Sequence, residues 1–136
     1  MLFRSSFGYS TWTLKNQAAF GASLPCVAHA RHVYDAMANL IVYHGNGLSA
    51  LPDTRAKGGW GLSEIDGMYA HRQFGVRSTK GAEPQSVGLA IEVVMPGDDF
   101  SDAEPALNAL AKGVDKLVEQ AIADGAIKPY VGCRRI

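Results

Sequence analysis

The segment from residue 86 to residue 125 constrains the fold more than any other, because it predicts a strand, a stop and a helix in succession. Ser86–Met95 alternates apolar with small or polar residues, the period of a strand with one buried face. Pro96 and Gly97 stop that strand. Ser101-Asp102-Ala103-Glu104 is a capping box that opens a helix, and Gly125 ends it. Gly113 is a candidate position for a kink in this helix. Each element is predicted to have one apolar face, formed by Val87, Leu89, Ile91, Val93 and Met95 in the strand and by Leu107, Leu110, Val114, Leu117, Val118, Ala121 and Ile122 in the helix.

A second strand is predicted upstream, over Tyr69–Ser78. The connector between the two strands, residues 79–85, contains Gly81 and Pro84, so the pair is expected to form a hairpin. Residues 45–68 are rich in glycine and are predicted to be a loop. Alternation places the side chains of the second strand on two sides, with Ala70, Phe74 and Val76 on one and Tyr69, His71, Gln73 and Arg77 on the other.

Two segments leave alternatives open. Residues 24–44 fit one helix, which alanine and methionine favour, or two strands, which Val33-Tyr34 and Ile41-Val42-Tyr43 favour. The first 14 residues place four aromatic side chains among Ser and Thr, which favours a strand or a hairpin.

Composition limits the classes of function. The length of 136 residues suits one domain with one core. Thirteen basic and thirteen acidic residues give zero net charge, which excludes the general attraction of non-specific nucleic-acid binders and leaves little repulsion between copies. No apolar run approaches the roughly 18 residues that span a bilayer, and the N-terminus lacks the pattern of a secretory signal. Cys26 and Cys133 are too few for a disulfide scaffold, so an intracellular protein is expected.

The sequence predicts no catalytic residues, no metal site and no cofactor. Cys26, His29 and His32 form a C-x-x-H-x-x-H pattern, but neither a helix nor a strand brings all three side chains to one ion. A histidine pair, His44 and His71, has no nucleophile in a recognisable elbow beside it. Glu92 is expected to be a carboxylate on the exposed face of its strand.

A set of basic, amide and aromatic residues predicts an RNA contact. If the strands form one antiparallel sheet, these side chains would stand together on the face opposite Phe74 and Val76. Unpaired bases need such stacking partners and hydrogen-bond donors. The residues of this predicted surface are His29, Arg31, Tyr43, His71, Gln73 and Arg77.

The layout resembles the coat proteins of single-stranded RNA bacteriophages, the levivirus-like group. The resemblance is carried by Asn39–Gly45, Tyr69–Phe74, the strand at 86–96 and the Ser-Asp-x-Glu helix start. It implies an α+β fold, in which an N-terminal hairpin (1–23), an antiparallel meander (24–96), a helical segment (101–125) and a C-terminal arm (126–136) form one domain. It also implies an intertwined dimer, many copies of which close into an icosahedral shell around single-stranded RNA. The protein would be located in the virion, assembled in the cytoplasm of a host bacterium, with no membrane partner.

The dimer interface is expected where a partner's helix covers the apolar face of the long strand. Its predicted residues are Leu89, Ile91, Val93, Leu107, Leu110, Val114 and Leu117. One alternative keeps residues 24–44 as a helix, which gives a ferredoxin-like sandwich that binds a small molecule or acts as a small enzyme. Another is a tail or neck component of a virion.

Overall fold

The computed structural model describes residues 12–40, 45–63, 67–79, 85–128 and the backbone of 130–131. Within them, three helices and four strands follow one another along the chain, joined by short 3₁₀ turns at Leu24–Cys26, Gly47–Ala50 and Phe100–Ala103. In chain order they are α1 (Leu14–Ser23), α2 (Arg31–Ala36), β1 (Thr54–Leu62), β2 (Tyr69–Ser78), β3 (Gln85–Met95), α3 (Glu104–Ala123) and β4 (Tyr130–Val131).

The strands form one antiparallel sheet in the order β1-β2-β3-β4, with helices on both faces. Helix α3 packs on one face, where Leu89 and Ile91 of β3 meet Leu107 and Ala111 of the helix. Helix α1 lies on the other face, so close to β3 that a Cβ at Gly88 would overlap with a backbone oxygen of the helix. An α+β fold is therefore confirmed.

The core lies between the sheet and α3, where the alternation of β3 predicted it. Leu89 and Ile91 are buried there, with Val87, Val93 and Met95 packed at its margin. The turns at 47–50 and 100–103 close the two ends of this layer with Leu48 and Phe100. The predicted bounds of β2 and the predicted buried face of β3 are confirmed, and β3 begins at Gln85, one residue earlier than predicted.

The predicted capping box is wrong, although the helix and its end at Gly125 are confirmed. Ala103 is the N-cap residue of α3 and makes no side-chain cap. Asp99 caps the preceding 3₁₀ turn, where its Oδ1 accepts hydrogen bonds from the backbone N–H and the hydroxyl of Ser101, both at 2.8 Å. These two donors lower the pKa of Asp99. Residues 100–103 form a 3₁₀ turn in which Phe100 is buried, and α3 begins at Glu104 and runs without interruption through Gly113.

The predicted N-terminal hairpin over residues 1–23 is wrong from Leu14 onwards, where α1 forms. The hydroxyl of Thr13 accepts a hydrogen bond from the backbone N–H of Asn16 at 3.2 Å, which caps the helix. Alanines at 18, 19 and 22 favour the helix and are small enough to pack closely on the sheet. Residues 1–11 lie outside the described residues.

Neither alternative for residues 24–44 describes what forms there. A 3₁₀ turn at Leu24–Cys26 and the short helix α2 form within the segment, separated by His29 at a positive φ of 63°; residues 41–44 lie outside the described residues. The ferredoxin-like order is also wrong, because β1, β2 and β3 are neighbours in the sheet in chain order, and among the described residues of their connections there is no helix.

The predicted loop at 45–68 is wrong over Thr54–Leu62, which forms β1. Three glycines give this segment little strand propensity of its own, but β2 pairs with it along its whole length. Small residues make the pairing possible, since a Cβ at Gly75 would lie 2.9 Å from the Cβ of Ala56.

Candidate functional site

The polar residues of β2 lie on the core face of the sheet, not on an open one. Gln73 pairs with Ile91 and His71 with Val93, so both polar side chains point towards α3. Gln73 is 1% exposed and His71 is 0% exposed. The two-sided alternation of β2 was predicted correctly, but the expectation that its polar side is open is wrong, because α3 and the turns at 47–50 and 100–103 cover it.

Gln73 is buried because a loop brings hydrogen-bonding partners to it. Its Oε1 accepts a hydrogen bond from the backbone N–H of Leu48 at 2.8 Å. Its Nε2 donates to the backbone oxygen and the Oδ1 of Asn46 at 3.1 and 3.0 Å. Asn108 of α3 holds the same loop, since its Oδ1 accepts from the N–H of Gly47 at 2.6 Å. The side chain therefore anchors residues 46–48 and does not face a ligand.

His71 is enclosed without a polar partner. Neither ring nitrogen has a hydrogen bond, and the ring lies 6.1 Å from that of Phe100 between centroids. Trp60, its register partner on β1, packs on the same phenylalanine at 4.9 Å. A buried imidazole in this position reaches neither RNA nor a substrate.

Arg77 joins β2 to α3. Its Nη2 donates to Glu119 Oε1 at 2.9 Å, and its Nη1 lies 3.0 Å from Asp115 Oδ1, close enough for an ion pair although the two atoms are not aligned as a hydrogen bond. The guanidinium therefore holds the helix on the sheet and is not presented on an open face.

The remaining predicted RNA contacts do not lie on the sheet. His29 precedes α2 and Arg31 is its first residue, and both side chains are exposed. The Nε of Arg31 donates a hydrogen bond to Asp35 Oδ2 at 3.1 Å. Asp35 also accepts from Arg55 at 2.9 Å, and the hydrogen bonds from Arg55 and then Arg31 lower its pKa. Arg55 stacks over the Tyr34 ring at 4.1 Å. Tyr43 lies outside the described residues.

Most of the predicted dimer interface belongs to the chain's own core. Leu89, Ile91 and Leu107 are buried within one copy, and Val93 and Val114 pack beside them. The expectation that a partner's helix covers these side chains is wrong, because the connection through 96–103 is short enough to fold α3 back onto its own sheet. Only Leu110 and Leu117 remain on the surface, 41% and 70% exposed.

A groove of about 320 Å³ lies on the sheet face turned away from α3. Paired residues of β1 and β2 form the floor of the groove. In the register of these strands, Lys57 lies opposite Phe74, Gly59 opposite Arg72 and Gly61 opposite Ala70. Helix α1 forms one wall through Gln17, whose Nε2 donates to the backbone oxygen of Trp12 at 2.8 Å. Its lining comprises Gln17, Lys57, Gly58, Gly59, Trp60, Gly61, Leu62, Ala70, Arg72 and Phe74.

Trp60 and Phe74 give the groove its aromatic surface and Lys57 gives it positive charge. An aromatic cluster that shares Phe74 lies beside the groove. Trp12, Phe20 and Phe74 form a cluster whose ring centroids lie 5.5 to 5.8 Å apart. Arg72 holds Glu92 through its Nε at 2.8 Å and its Nη2 at 3.4 Å, while the Lys57 ammonium donates to a neighbouring backbone oxygen. Such a surface suits a flat apolar group that carries an anion. Sequence reasoning missed it because Gly58–Gly61 was predicted as a loop and Arg72 was not among the predicted RNA contacts.

No metal centre is found in the described part of the chain, where no three His, Cys, Asp or Glu side chains converge. Cys26 is disulfide-bonded, so its sulfur is not available as a thiolate ligand to complete a site with His29 and His32.

Among the residues described, no helix has the length and apolar content that a bilayer span requires. Comparison of the chain with family models, with curated proteins and with solved structures finds no match.

Proposed function

We propose that the protein is a self-associating structural subunit, of the kind that builds a shell around single-stranded RNA. The observation that carries the proposal is the presence of large apolar side chains on the surface at three separate places. Leu110 and Leu117 lie on α3, Val27 and Val33 lie around α2, and Leu62 lies at the end of β1. A closed shell needs more than one kind of contact between copies, and apolar side chains at the surface are what such contacts bury.

The net charge of zero is compatible with contacts between many copies of the chain. Basic and acidic residues are equal in number, so copies approach without strong repulsion. Five ion pairs form within the described part of the chain: Arg77 with Asp115 and with Glu119 of α3, Arg72 with Glu92, and Arg31 and Arg55 with Asp35. Charged groups that are already paired within a copy leave the apolar side chains to make the contacts between copies.

The groove on the face away from α3 is the proposed RNA contact, in place of the buried polar residues of β2. Lys57 supplies positive charge for phosphates, and Phe74 and Trp60 supply aromatic surface for unpaired bases. His29 and Arg31 lie exposed elsewhere on the chain and remain proposed secondary contacts. Assembly on RNA would take place in the cytoplasm of a host bacterium and would place the protein in a virion.

The test is to express the protein in bacteria and measure mass by light scattering after size exclusion, together with the ratio of absorbance at 260 and 280 nm. The proposal expects a very large particle that contains RNA protected from nuclease. Lys57→Glu is expected to lower the RNA content, whereas Lys112→Glu, at an exposed lysine on α3, serves as a matched control and leaves it unchanged. A monomer without nucleic acid at every concentration would contradict the proposal.

A second candidate, a small-molecule-binding module, is favoured by the groove alone. Its volume of about 320 Å³ lies at the lower end of the range for ligand pockets, roughly 300–1,000 Å³. The discriminating measurement is a thermal-shift screen of aromatic carboxylates and nucleotides against monomeric protein, with Lys57→Glu as the control that removes binding. A third candidate, a tail or neck component, predicts rings in electron micrographs where the coat predicts closed shells.

A further inference from the structure

The groove beside α1 runs along an open edge of the sheet. β1 is the outermost strand on that side, and β2 is the strand of the described chain that pairs with it. From β2 the groove takes alternate residues, Ala70, Arg72 and Phe74, as expected of an interior strand that shows one face. From β1 it takes six consecutive residues, 57–62. Neighbouring residues of a strand face opposite sides, so a consecutive run lines the groove because the groove includes the backbone at the edge of β1.

The outer edge of β1 is long and straight. Its residues pair with β2 one for one from Thr54 to Leu62, so no bulge interrupts the strand, and it contains no proline. Natural edge strands are usually short, bulged or interrupted by proline, and lysine is a common protecting side chain. Lys57 has this place in β1, and its ammonium donates to the backbone oxygen of Gly58. The N–H and C=O groups along such an edge are satisfied by another extended backbone, which is the basis of peptide recognition by strand addition.

We infer that the groove binds an extended peptide segment of another protein, which pairs with the outer edge of β1 as an added strand. The side chains along the groove define the chemistry of that segment. Lys57 favours a carboxylate on the peptide residue opposite it. Gly59 leaves the backbone uncovered, and an aromatic side chain opposite an edge glycine covers it. In the antiparallel direction of the other strand pairs, the aromatic residue comes two positions before the acidic one.

Exposed apolar side chains at the rim add a third requirement. Trp60 and Leu62 line the groove and are 36% and 69% exposed. An apolar peptide residue opposite Trp60 covers part of both. The recognised segment is therefore an apolar residue, an aromatic residue, any residue and an acidic residue, in that order. Arg72 is paired with Glu92 at 2.8 Å, so Lys57 selects the charge of the peptide.

Two N-methylated forms of one peptide test the strand pairing. The probe is a synthetic peptide with valine, phenylalanine, threonine and glutamate at its centre and threonines on either side, and its binding is measured by fluorescence anisotropy. Methylating the alternate amides that face β1 removes hydrogen-bond donors and is expected to weaken binding at least about tenfold. Methylating the intervening amides, which point away from β1, is expected to change the affinity by less than about twofold. Binding is also expected to slow hydrogen exchange at alternate amides of β1.

A charge exchange tests the role of Lys57. Lys57→Glu is expected to weaken binding of the glutamate peptide about two- to fivefold, and a peptide with lysine in place of the glutamate recovers it. The matched control is Lys112→Glu, at an exposed lysine of α3, which leaves both affinities unchanged. Circular dichroism verifies that each variant retains the wild-type fold.

Three results overturn the inference. The first is a wild-type protein that does not bind the unmethylated peptide, and the second is equal binding of the two methylated forms. The third is slow exchange at the outer amides of β1 in the free protein, which assigns the edge to a second copy of the chain.

The inference goes beyond the proposed function, and it implies that peptide and RNA exclude each other from the groove. The outcomes of the two tests are separate. Peptide binding by a protein that forms no RNA-filled particle retains the inference and overturns the coat proposal. RNA-filled particles built from a protein that does not bind the peptide retain the coat proposal and overturn the inference.

Discussion

Replacing Gln73 by leucine is expected to destabilise the protein far more than the loss of one surface amide would. The substitution removes three hydrogen bonds, at 2.8, 3.0 and 3.1 Å. It leaves the Leu48 N–H and the Oδ1 of Asn46 buried without a partner, whereas the backbone oxygen of Asn46 still accepts a hydrogen bond from the N–H of Ser49 at 3.1 Å. Each orphaned group costs about 1–3 kcal/mol, and leucine recovers part of that through apolar burial, so the net loss is about 2–4 kcal/mol.

His71→Phe is the matched control for this prediction. It lies on the same strand and the same face and is equally buried, but its ring nitrogens have no hydrogen bonds to lose. Replacing it by an apolar ring removes two unsatisfied polar atoms, so a gain of about 1 kcal/mol is expected.

Urea unfolding followed by circular dichroism measures both changes. With a slope of about 2 kcal/mol per molar urea, Gln73→Leu lowers the midpoint by about 1–2 M, whereas His71→Phe raises it by about 0.5 M. A Gln73→Leu variant within about 0.5 kcal/mol of the wild type, the scatter usual for surface substitutions, would refute the reasoning. So would a His71→Phe variant that is destabilised by as much as Gln73→Leu.

Three further outcomes are expected. Gly47→Ala lowers the unfolding midpoint, because Gly47 has a φ of +58° and a Cβ there would overlap with the Gln73 amide; a calorimetric Tm unchanged from wild type would contradict this. Gly88→Ala displaces α1, since its Cβ would overlap with a carbonyl oxygen of that helix, and faster hydrogen exchange in α1 checks it. Asp35 contributes stability above its ordinary pKa of 3.8, and that contribution is lost as the pH falls through its lowered folded-state pKa. Asp35→Asn should therefore flatten the dependence of stability on pH below about pH 4, and an identical dependence in the two proteins would count against the ion pairs.

The parts of the fold that sequence predicted are those specified by local pattern. Neighbouring residues determine the alternation of β3, the Pro96-Gly97 pair that ends it and the apolar face of α3. The bounds of β2 follow from the same kind of local pattern. Helix α1 was missed because its contact with the sheet uses small residues around Gly21 and Ala18, which give no strong apolar stripe. Strand β1 was missed because its stability comes from pairing with β2, which a single segment does not reveal.

The candidate site was less predictable, because alternation along a strand identifies two faces but not which of them is covered. His71 and Gln73 were placed correctly opposite Phe74, yet the loop that buries Gln73 comes from 25 residues away along the chain. The groove combines Gln17, Lys57 and Arg72 from three separate elements. A surface assembled from distant segments leaves no motif in the sequence, and the register that creates it is known only once the sheet is formed.

The two anchors of the turn at 47–50 have a consequence for the order of folding. The N–H of Leu48 is held by the sheet, across 25 residues of sequence, and the N–H of Gly47 by α3, across 61. Closing loops of that length costs more conformational entropy than forming a hairpin or a helical turn. The turn therefore locks only after the β1–β2 hairpin and α3 have come together, on the native side of the rate-limiting step. Substitutions in it should accelerate unfolding while leaving the rate of folding almost unchanged.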